Sequence, residues 1–180
     1  TQPACRLRSL LNDCAPSLCV ESRDDAAATA GVVGLDGDGM RAVSLREAAS
    51  VGASSAAPLP ALTWDSPSHL VYTSGSSGSP KAVLCDHGAL HAYTRSKAEA
   101  LDVGANSRVL ICSASTWDPC LGEIWSTLVA FATLCVAPRP AILADLGRCI
   151  REPSASHVLA TPSLWALVPP SEPLGGLRVL

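Results

Sequence analysis

The hydrophobic positions change period along the chain. From His69 onward, short apolar runs alternate with longer segments of mixed polarity. The runs 69–73 (HLVYT), 81–85 (KAVLC), 108–112 (RVLIC), 133–137 (TLCVA), 157–160 (HVLA) and 177–180 (LRVL) predict strands. The segments 88–101, 119–131, 140–151 and 162–168 predict helices. After residue 108 the two types alternate, the pattern of repeated β-α-β units, so an α/β fold with a mainly parallel sheet and flanking helices is expected. Near the N-terminus, Leu7, Leu10, Leu11 and Cys14 stand at helical spacing, and the apolar run SLCV follows.

Residues 21–68 break this rhythm. They are rich in Ala, Ser, Gly and Asp, and GASSAAPLP at 52–60 reads as a linker. The expected organisation is therefore 1–60 as a partial N-terminal helix and strand plus linker, and 61–180 as a core segment. The last run, LRVL, is a strand with no element after it to cover it, which predicts a piece of a larger fold.

Composition narrows the class. Of 180 residues, 48% are hydrophobic and 16% charged, which suits a packed interior rather than a disordered tail. A net charge of −3 and an aromatic share of 4% argue against a nucleic-acid partner. The N-terminal TQPACRLRSLLND lacks the apolar segment of a secretion signal. The longest apolar run, IWSTLVAFATLCVAP from Ile124, is shorter than the ~20 residues a membrane span requires.

Eight cysteines include no C-x-x-C pair, so neither a zinc ribbon nor a redox motif is expected. Most sit in apolar runs such as VLC, LIC and TLCV. They read as small buried hydrophobes in a reducing, cytoplasmic compartment.

The stretch HLVYTSGSSGSPKAVLC, residues 69–85, carries the chemistry. Its middle, Thr73 to Lys81, holds hydroxyls, two glycines, one proline and a lysine between two strands. A Walker loop needs G-x-x-x-x-G-K-[ST] opening a helix. Here Gly75 and Gly78 are three apart, Pro80 offers no N–H, and AVLC after Lys81 reads as strand. A serine hydrolase elbow, G-x-S-x-G, is absent, and no lysine precedes the loop to serve a Ser-Ser-Lys amidase. A plain hairpin turn needs two to five residues. The remaining reading is a non-Walker anion grip. Gly75 and Gly78 let backbone N–H groups approach an anion, and Thr73, Ser74, Ser76, Ser77 and Ser79 supply compact donors. Lys81, one of only two lysines, adds a point charge.

The string YTSGSSGSPKAV resembles the phosphate loop of the adenylate-forming superfamily, which includes acyl-CoA synthetases, luciferases and the adenylation domains of nonribosomal peptide synthetases. The family string ends P-K-G, and Ala82 replaces that glycine here. Two further patches agree. RVLICSASTWDPCLGEIW resembles the amino-acid-activating branch, with Trp117, Asp118, Glu123, Ile124 and Trp125 in the family's aromatic–Asp and Glu-Ile-aromatic pattern. SHVLATPSLWALV with LGGLRVL resembles the next strand and helix. The likeness spans 69–180, with a weaker echo at 5–20.

The resemblance implies part of the large N-terminal subdomain of that fold. In such enzymes a carboxylate attacks the α-phosphate of ATP, with Mg2+, giving an acyl-adenylate that passes to phosphopantetheine on a carrier-protein domain or to CoA. Thr73, Ser74, Gly75, Ser76, Ser77, Gly78, Ser79, Pro80 and Lys81 would hold the phosphates. No catalytic base and no protein metal ligand is assigned. Asp118 matches the aspartate that holds a substrate ammonium, a cationic partner that explains a costly buried carboxylate. It also stands where a helix cap would, because Pro119 suits a first helical turn. Trp117 matches an aromatic wall of the substrate channel or belongs to plain core. Pro119, Gly122 and Ser163 match pocket-lining positions, and Gly122, often a tryptophan in relatives, would leave local space. WDP with EIW is most similar to relatives that activate β-alanine or α-aminoadipate. The family's ribose-binding aspartate, hinge and catalytic lysine are expected beyond Leu180, so the segment alone is expected to be inactive. A carboxylate–CoA ligase of the same fold and a non-catalytic nucleotide-binding remnant remain as alternatives.

Two weaker patterns read as structure. His87 and His91 lack a third metal ligand, so Asp86 is expected to cap a helix that carries them toward solvent. DGDGMRAVSLRE starts like a calcium loop but places Met40 and Arg41 where a ligand and a glycine are needed. It reads as a turn before a short helix.

Overall fold

The computed structural model describes residues 4–21, 41–50, 60–74 and 80–179. They belong to two compact units, Thr1–Ala61 and Leu62–Leu180.

In the first unit, α1 (Ala4–Cys14) leads to β1 (Leu18–Glu21). This strand pairs in parallel with β2 (Arg41–Ser44), from Leu18 opposite Arg41 to Glu21 opposite Ser44. Helix α2 (Leu45–Ser50) follows directly, and the Ser44 hydroxyl accepts the Glu47 N–H at 3.1 Å as its cap. The short helix anticipated after DGDG is present, whereas β2 falls in a tract that composition left unassigned. Most of the 52–60 linker lies outside the described residues.

The second unit opens with an antiparallel hairpin of β3 (Pro67–Thr73) and β4 (Lys81–Asp86), in register from Thr73 opposite Lys81 to His69 opposite Cys85. Helix α3 (His87–Ala100) starts at once because the Asp86 carboxylate accepts the Ala89 N–H at 2.6 Å. Then come β5 (Arg108–Leu110), α4 (Pro119–Val129), β6 (Thr133–Cys135), α5 (Arg139–Ala144), α6 (Leu146–Arg151), β7 (His157–Val158), α7 (Pro162–Trp165) and β8 (Arg178–Val179). These four strands form one parallel sheet in the order β6-β5-β7-β8.

Leu110, Val158, Leu146, Ile142, Ile150 and Leu164 form the core where α5, α6 and α7 meet this sheet. Each such side chain contributes about 1.5–3 kcal/mol through burial. Helix α3 packs on α4 through Thr94 and Ala98, with Gly122 and Ser126 buried on α4. Buried hydroxyls on these helices turn inward to their own backbone. Ser126 donates to Gly122 O and Thr127 to Glu123 O, both at 2.5 Å, and Thr94 donates to His91 O at 3.1 Å.

Strands β5, β6 and β7 each end two residues before their apolar runs do, and three helices differ from the sequence reading. The predicted helix 140–151 is two helices, because Asp145 adopts an extended conformation (φ −157°) and its carboxylate caps α6 by accepting the Arg148 N–H at 2.8 Å. Helix α4 stops at Val129 because Phe131 turns left-handed (φ 55°), which leaves its ring largely exposed. Helix α7 is a single turn that ends at Trp165 rather than continuing to 168.

All eight cysteines are free thiols. Cys112 and Cys135 are buried, as the runs LIC and TLCV suggested, and so are Cys120 on α4 and Cys149 on α6, whereas Cys85 of VLC is half-buried. Cys5 and Cys14 are exposed, because α1 leaves most of its surface open. Among the described residues no helix is long and apolar enough to cross a membrane.

Candidate functional site

The sheet order reverses next to β5. The connection from β5 runs to β6 at one edge, and the connection from β7 runs to β8 at the other. In parallel α/β sheets a crevice opens beyond the carboxyl ends of two strands whose connections diverge in this way. Here a cavity of about 500 Å³ lies there, lined by Cys112, Ser113 and Ala114 after β5 and by Leu159, Ala160 and Thr161 after β7. Trp117, Pro119, Arg139 and Leu164 complete its wall.

Two charged side chains fix the segment that enters this cavity. Glu123 is 2% exposed, and its Oε2 accepts the N–H groups of Cys112 at 3.2 Å and Ser113 at 3.4 Å, while Ser113 Oγ donates to its Oε1. Arg139 Nη1 donates to Cys112 O at 2.6 Å. Burial pushes the Glu123 carboxyl above the usual carboxylate range, against the pull of the Ser113 hydrogen bonds, the Lys97 charge and the Cys112 N–H. The sequence motif contained Glu123 without giving it a task. Its signal was a single acid in an otherwise apolar helix. Arg139 carried no comparable signal, because its partner is a backbone carbonyl.

From this anchored base the chain turns through 114–118 into α4. Trp117 and Pro119 face the switch-point cavity, and Asp118 faces a second cavity of about 340 Å³. That second space lies between the hairpin and α3, with Thr73, Val71, Val83, Leu90 and Tyr93 around Asp118. Thr73 and Lys81 are paired residues at the root of the glycine-serine loop, and the Thr73 hydroxyl donates to Lys81 O at 3.4 Å. Ser74 is exposed and Pro80 half-buried. Gly75, Ser76, Ser77, Gly78 and Ser79 lie outside the described residues.

Four expectations change at this point. Asp118 is exposed, so burial imposes no need for a partner. It is not a cap either: its backbone is already helical (φ −53°, ψ −36°) and its side chain makes no capping bond. Trp117 is 50% exposed and lines a cavity, which removes the core reading. Gly122 leaves no gap. A Cβ placed there would stand 2.5 Å from Tyr93 Oη and 2.9 Å from Lys97 Nζ, so those two side chains already fill the space. Ser163 is exposed and is not part of the wall of the switch-point cavity, although its hydroxyl lies 3.1 Å from that of Thr161, which is. Of the histidines of α3, His91 is exposed as expected, its ring tilted against Trp64 with centroids 5.1 Å apart, whereas His87 is half-buried in the same apolar hollow.

The sequence family described as AMP-binding enzyme matches residues 1–180. The chain belongs to the AMP-binding enzyme family. It is 31% identical over 182 residues, 99% of its length, to a probable non-canonical nonribosomal peptide synthetase, CymA, of Salinispora arenicola. It spans only 1–3% of the length of such curated relatives. VinN solved in complex with L-aspartate shares the fold, with a TM-score of 0.74 and 24% identity over 92% of this chain and 42% of VinN. So does the O-succinylbenzoate coenzyme A synthetase MenE of Bacillus subtilis, solved with ATP and magnesium ion, at a TM-score of 0.78 and 17% identity over 99% of this chain and 37% of that one. The parallel sheet with its hairpin is therefore part of the fold that VinN and MenE share.

Proposed function

We propose that residues 61–180 supply the phosphate grip and the entrance to the acid pocket of an enzyme that activates an amino-acid-type carboxylate as an acyl-adenylate. The observation that carries this is the shared cavity. Asp118 and Thr73, the first residue of the glycine-serine loop, line one space, and Lys81 stands opposite Thr73 in the hairpin. An acid whose ammonium meets Asp118 would thus lie next to the loop that restrains the phosphates.

Thr73, Ser74 and Lys81, with the 75–79 loop between them, fit the β- and γ-phosphates of ATP, and Mg2+ would arrive on those phosphates. The step needs positioning and charge neutralisation more than a protein base. The acid's carboxylate oxygen bonds to the α-phosphorus and pyrophosphate leaves. In the whole protein a phosphopantetheine thiol on a carrier domain then takes the acyl group and releases AMP. The likeness to a peptide synthetase supports a carrier as acceptor, and the Trp117-Asp118-Pro119 pattern supports β-alanine or α-aminoadipate as the acid.

ATP–pyrophosphate exchange on the full-length protein tests the reading, with amino acids, fatty acids and aryl acids as substrates. Exchange with an amino acid that disappears in Asp118→Ala supports it. Exchange only with acids lacking an amine transfers the chain to the CoA-ligase alternative. Folded protein that exchanges with no acid leaves a nucleotide-binding remnant.

A further inference from the structure

Gly122 is the position at which the sequence predicted spare room, and the room is taken. Tyr93 reaches it from α3, one helix away. Its Oη would stand 2.5 Å and its Cε1 2.8 Å from a Cβ at 122. Both distances are shorter than real Cβ contacts, so the phenol ring occupies the volume that a side chain at 122 would use. Lys97, one turn further along α3, places its Nζ 5.7 Å from the centre of the Tyr93 ring. The same ammonium would stand 2.9 Å from the 122 Cβ. The ring is thus held between Gly122 and a cation.

Tyr93 also borders the Asp118 cavity, together with Leu90 and Leu121. We infer that Tyr93 is a specificity-determining residue of the acid pocket, which limits the reach of an amino acid anchored on Asp118 by filling the space that Gly122 vacates. This rests on the proposed reading of Asp118. Among amino acids the pocket then favours a short chain, such as that of β-alanine, over one with several more methylenes, such as α-aminoadipate.

The geometry assigns the role to the ring's volume rather than to its hydroxyl, since the ring carbon Cε1 alone already fills the place of a 122 side chain. Tyr93→Phe keeps the volume and is expected to keep the order of preference across an amino-acid series. Tyr93→Ala removes the volume, and a pocket gains or loses about tenfold or more per methylene of fit. The ratio of kcat/KM for a longer amino acid to that for the wild type's preferred one is therefore expected to rise about tenfold or more in Tyr93→Ala, with the KM for ATP unmoved.

A second measurement reads the geometry without catalysis. In the wild type, Gly122→Ala drives a methyl into the ring and lowers the melting temperature. In a Tyr93→Ala background the same change raises it, because alanine is the better helix former and the one remaining close contact, the Lys97 ammonium, is the far end of a flexible side chain that has lost its ring partner and can move aside. This reversal of sign is the expected result. An unchanged preference order in Tyr93→Ala, with a wild type that exchanges normally, overturns the inference alone. A Gly122→Ala penalty that persists without the ring also overturns it. A wild type that exchanges with no acid overturns the reading of the site, and this inference with it.

Discussion

Glu123 and Arg139 hold the two polar groups of a single residue: Glu123 accepts the Cys112 N–H at 3.2 Å and Arg139 donates to the Cys112 carbonyl at 2.6 Å. Neighbouring strand residues spend these groups on the sheet. Cys112 lies just past β5, where the ladder has ended, so its buried backbone needs other partners. An acid from α4 and a base from α5 provide them. The segment that carries Trp117 and Asp118 is thereby tied to two helices at its origin.

Removing the acid exposes what it satisfies. Glu123→Ala leaves the Cys112 N–H and the Ser113 hydroxyl without their acceptor, and each buried group left unpaired costs about 1–3 kcal/mol. Urea unfolding is expected to show a loss of roughly 2–4 kcal/mol, and Glu123→Gln, which retains one acceptor oxygen, a smaller one. The pH dependence has a definite sign. Burial raises the Glu123 carboxyl above its unfolded value, so the native state binds the proton more tightly than the unfolded chain. Its contribution is complete below the ordinary glutamate range and is lost as pH rises through the elevated native value. Glu123→Gln should flatten that part of the stability profile, measured by urea midpoints between mildly acid and neutral pH.

Two aspartates that precede helices separate stability from binding. Asp86 caps α3 through the Ala89 N–H, so Asp86→Ala is expected to cost about 1 kcal/mol. Asp118 precedes α4 with no capping bond and is exposed, so Asp118→Ala should change stability by less than about 0.5 kcal/mol. In exchange assays the order reverses. Losing a charged hydrogen bond to an ammonium is worth about 1.5–3 kcal/mol, roughly 10- to 100-fold in kcat/KM for an amino acid. Thermal melts and pyrophosphate exchange on the same two variants check both halves. An Asp118→Ala protein that melts several degrees lower would point to a structural role instead.

The elements were legible where period and chemistry agreed. The 69–85 stretch shows two apolar runs around a loop too long for a turn, and β3 and β4 stand there. The β-α alternation after 108 foretold a parallel sheet, because only crossover helices link strands that run the same way. The site was legible less evenly. Trp117, Asp118 and Pro119 are consecutive in the motif, yet successive side chains at a helix start point in different directions. They consequently divide between two cavities. Gly122 misled because a missing side chain says nothing about what another helix brings to the gap; Tyr93 is 29 positions away. Arg139 was invisible for a similar reason, since its partner is a carbonyl that every residue possesses.

Lys81 allows a test of the loop that leaves the fold alone. Its side chain is exposed, and its backbone already forms the last rung of the hairpin opposite Thr73. Lys81→Ala should therefore melt within about 0.5 kcal/mol of wild type. If its ammonium neutralises the leaving pyrophosphate, exchange should fall by about 10²–10³ in kcat, the usual consequence of removing one preorganised electrostatic contact. Lys81→Arg keeps the charge but not the compact ammonium, and should recover only part of the loss. Full activity in Lys81→Ala would remove the lysine from the phosphate grip.

The buried thiols give the last test, because one of them borders the switch-point cavity. Cys112 lines that space, which invites the idea of a reactive cysteine at the site. Its surroundings argue the other way. Burial first, and then the Glu123 charge, push its thiol up to about 12, and the Arg139 charge only partly opposes them. At pH 8 about one molecule in ten thousand would carry the thiolate, the form that attacks alkylating reagents. Burial raises the thiols of Cys120 and Cys149 as well. Cys5 and Cys14, which are exposed, should label first when native protein is treated with iodoacetamide and digested for mass spectrometry. Cys112 should label only as fast as the protein unfolds, so urea should accelerate it steeply. Rapid native labelling of Cys112 would mean that the Glu123–Arg139 clamp opens in solution, and would make that cavity wall mobile rather than fixed.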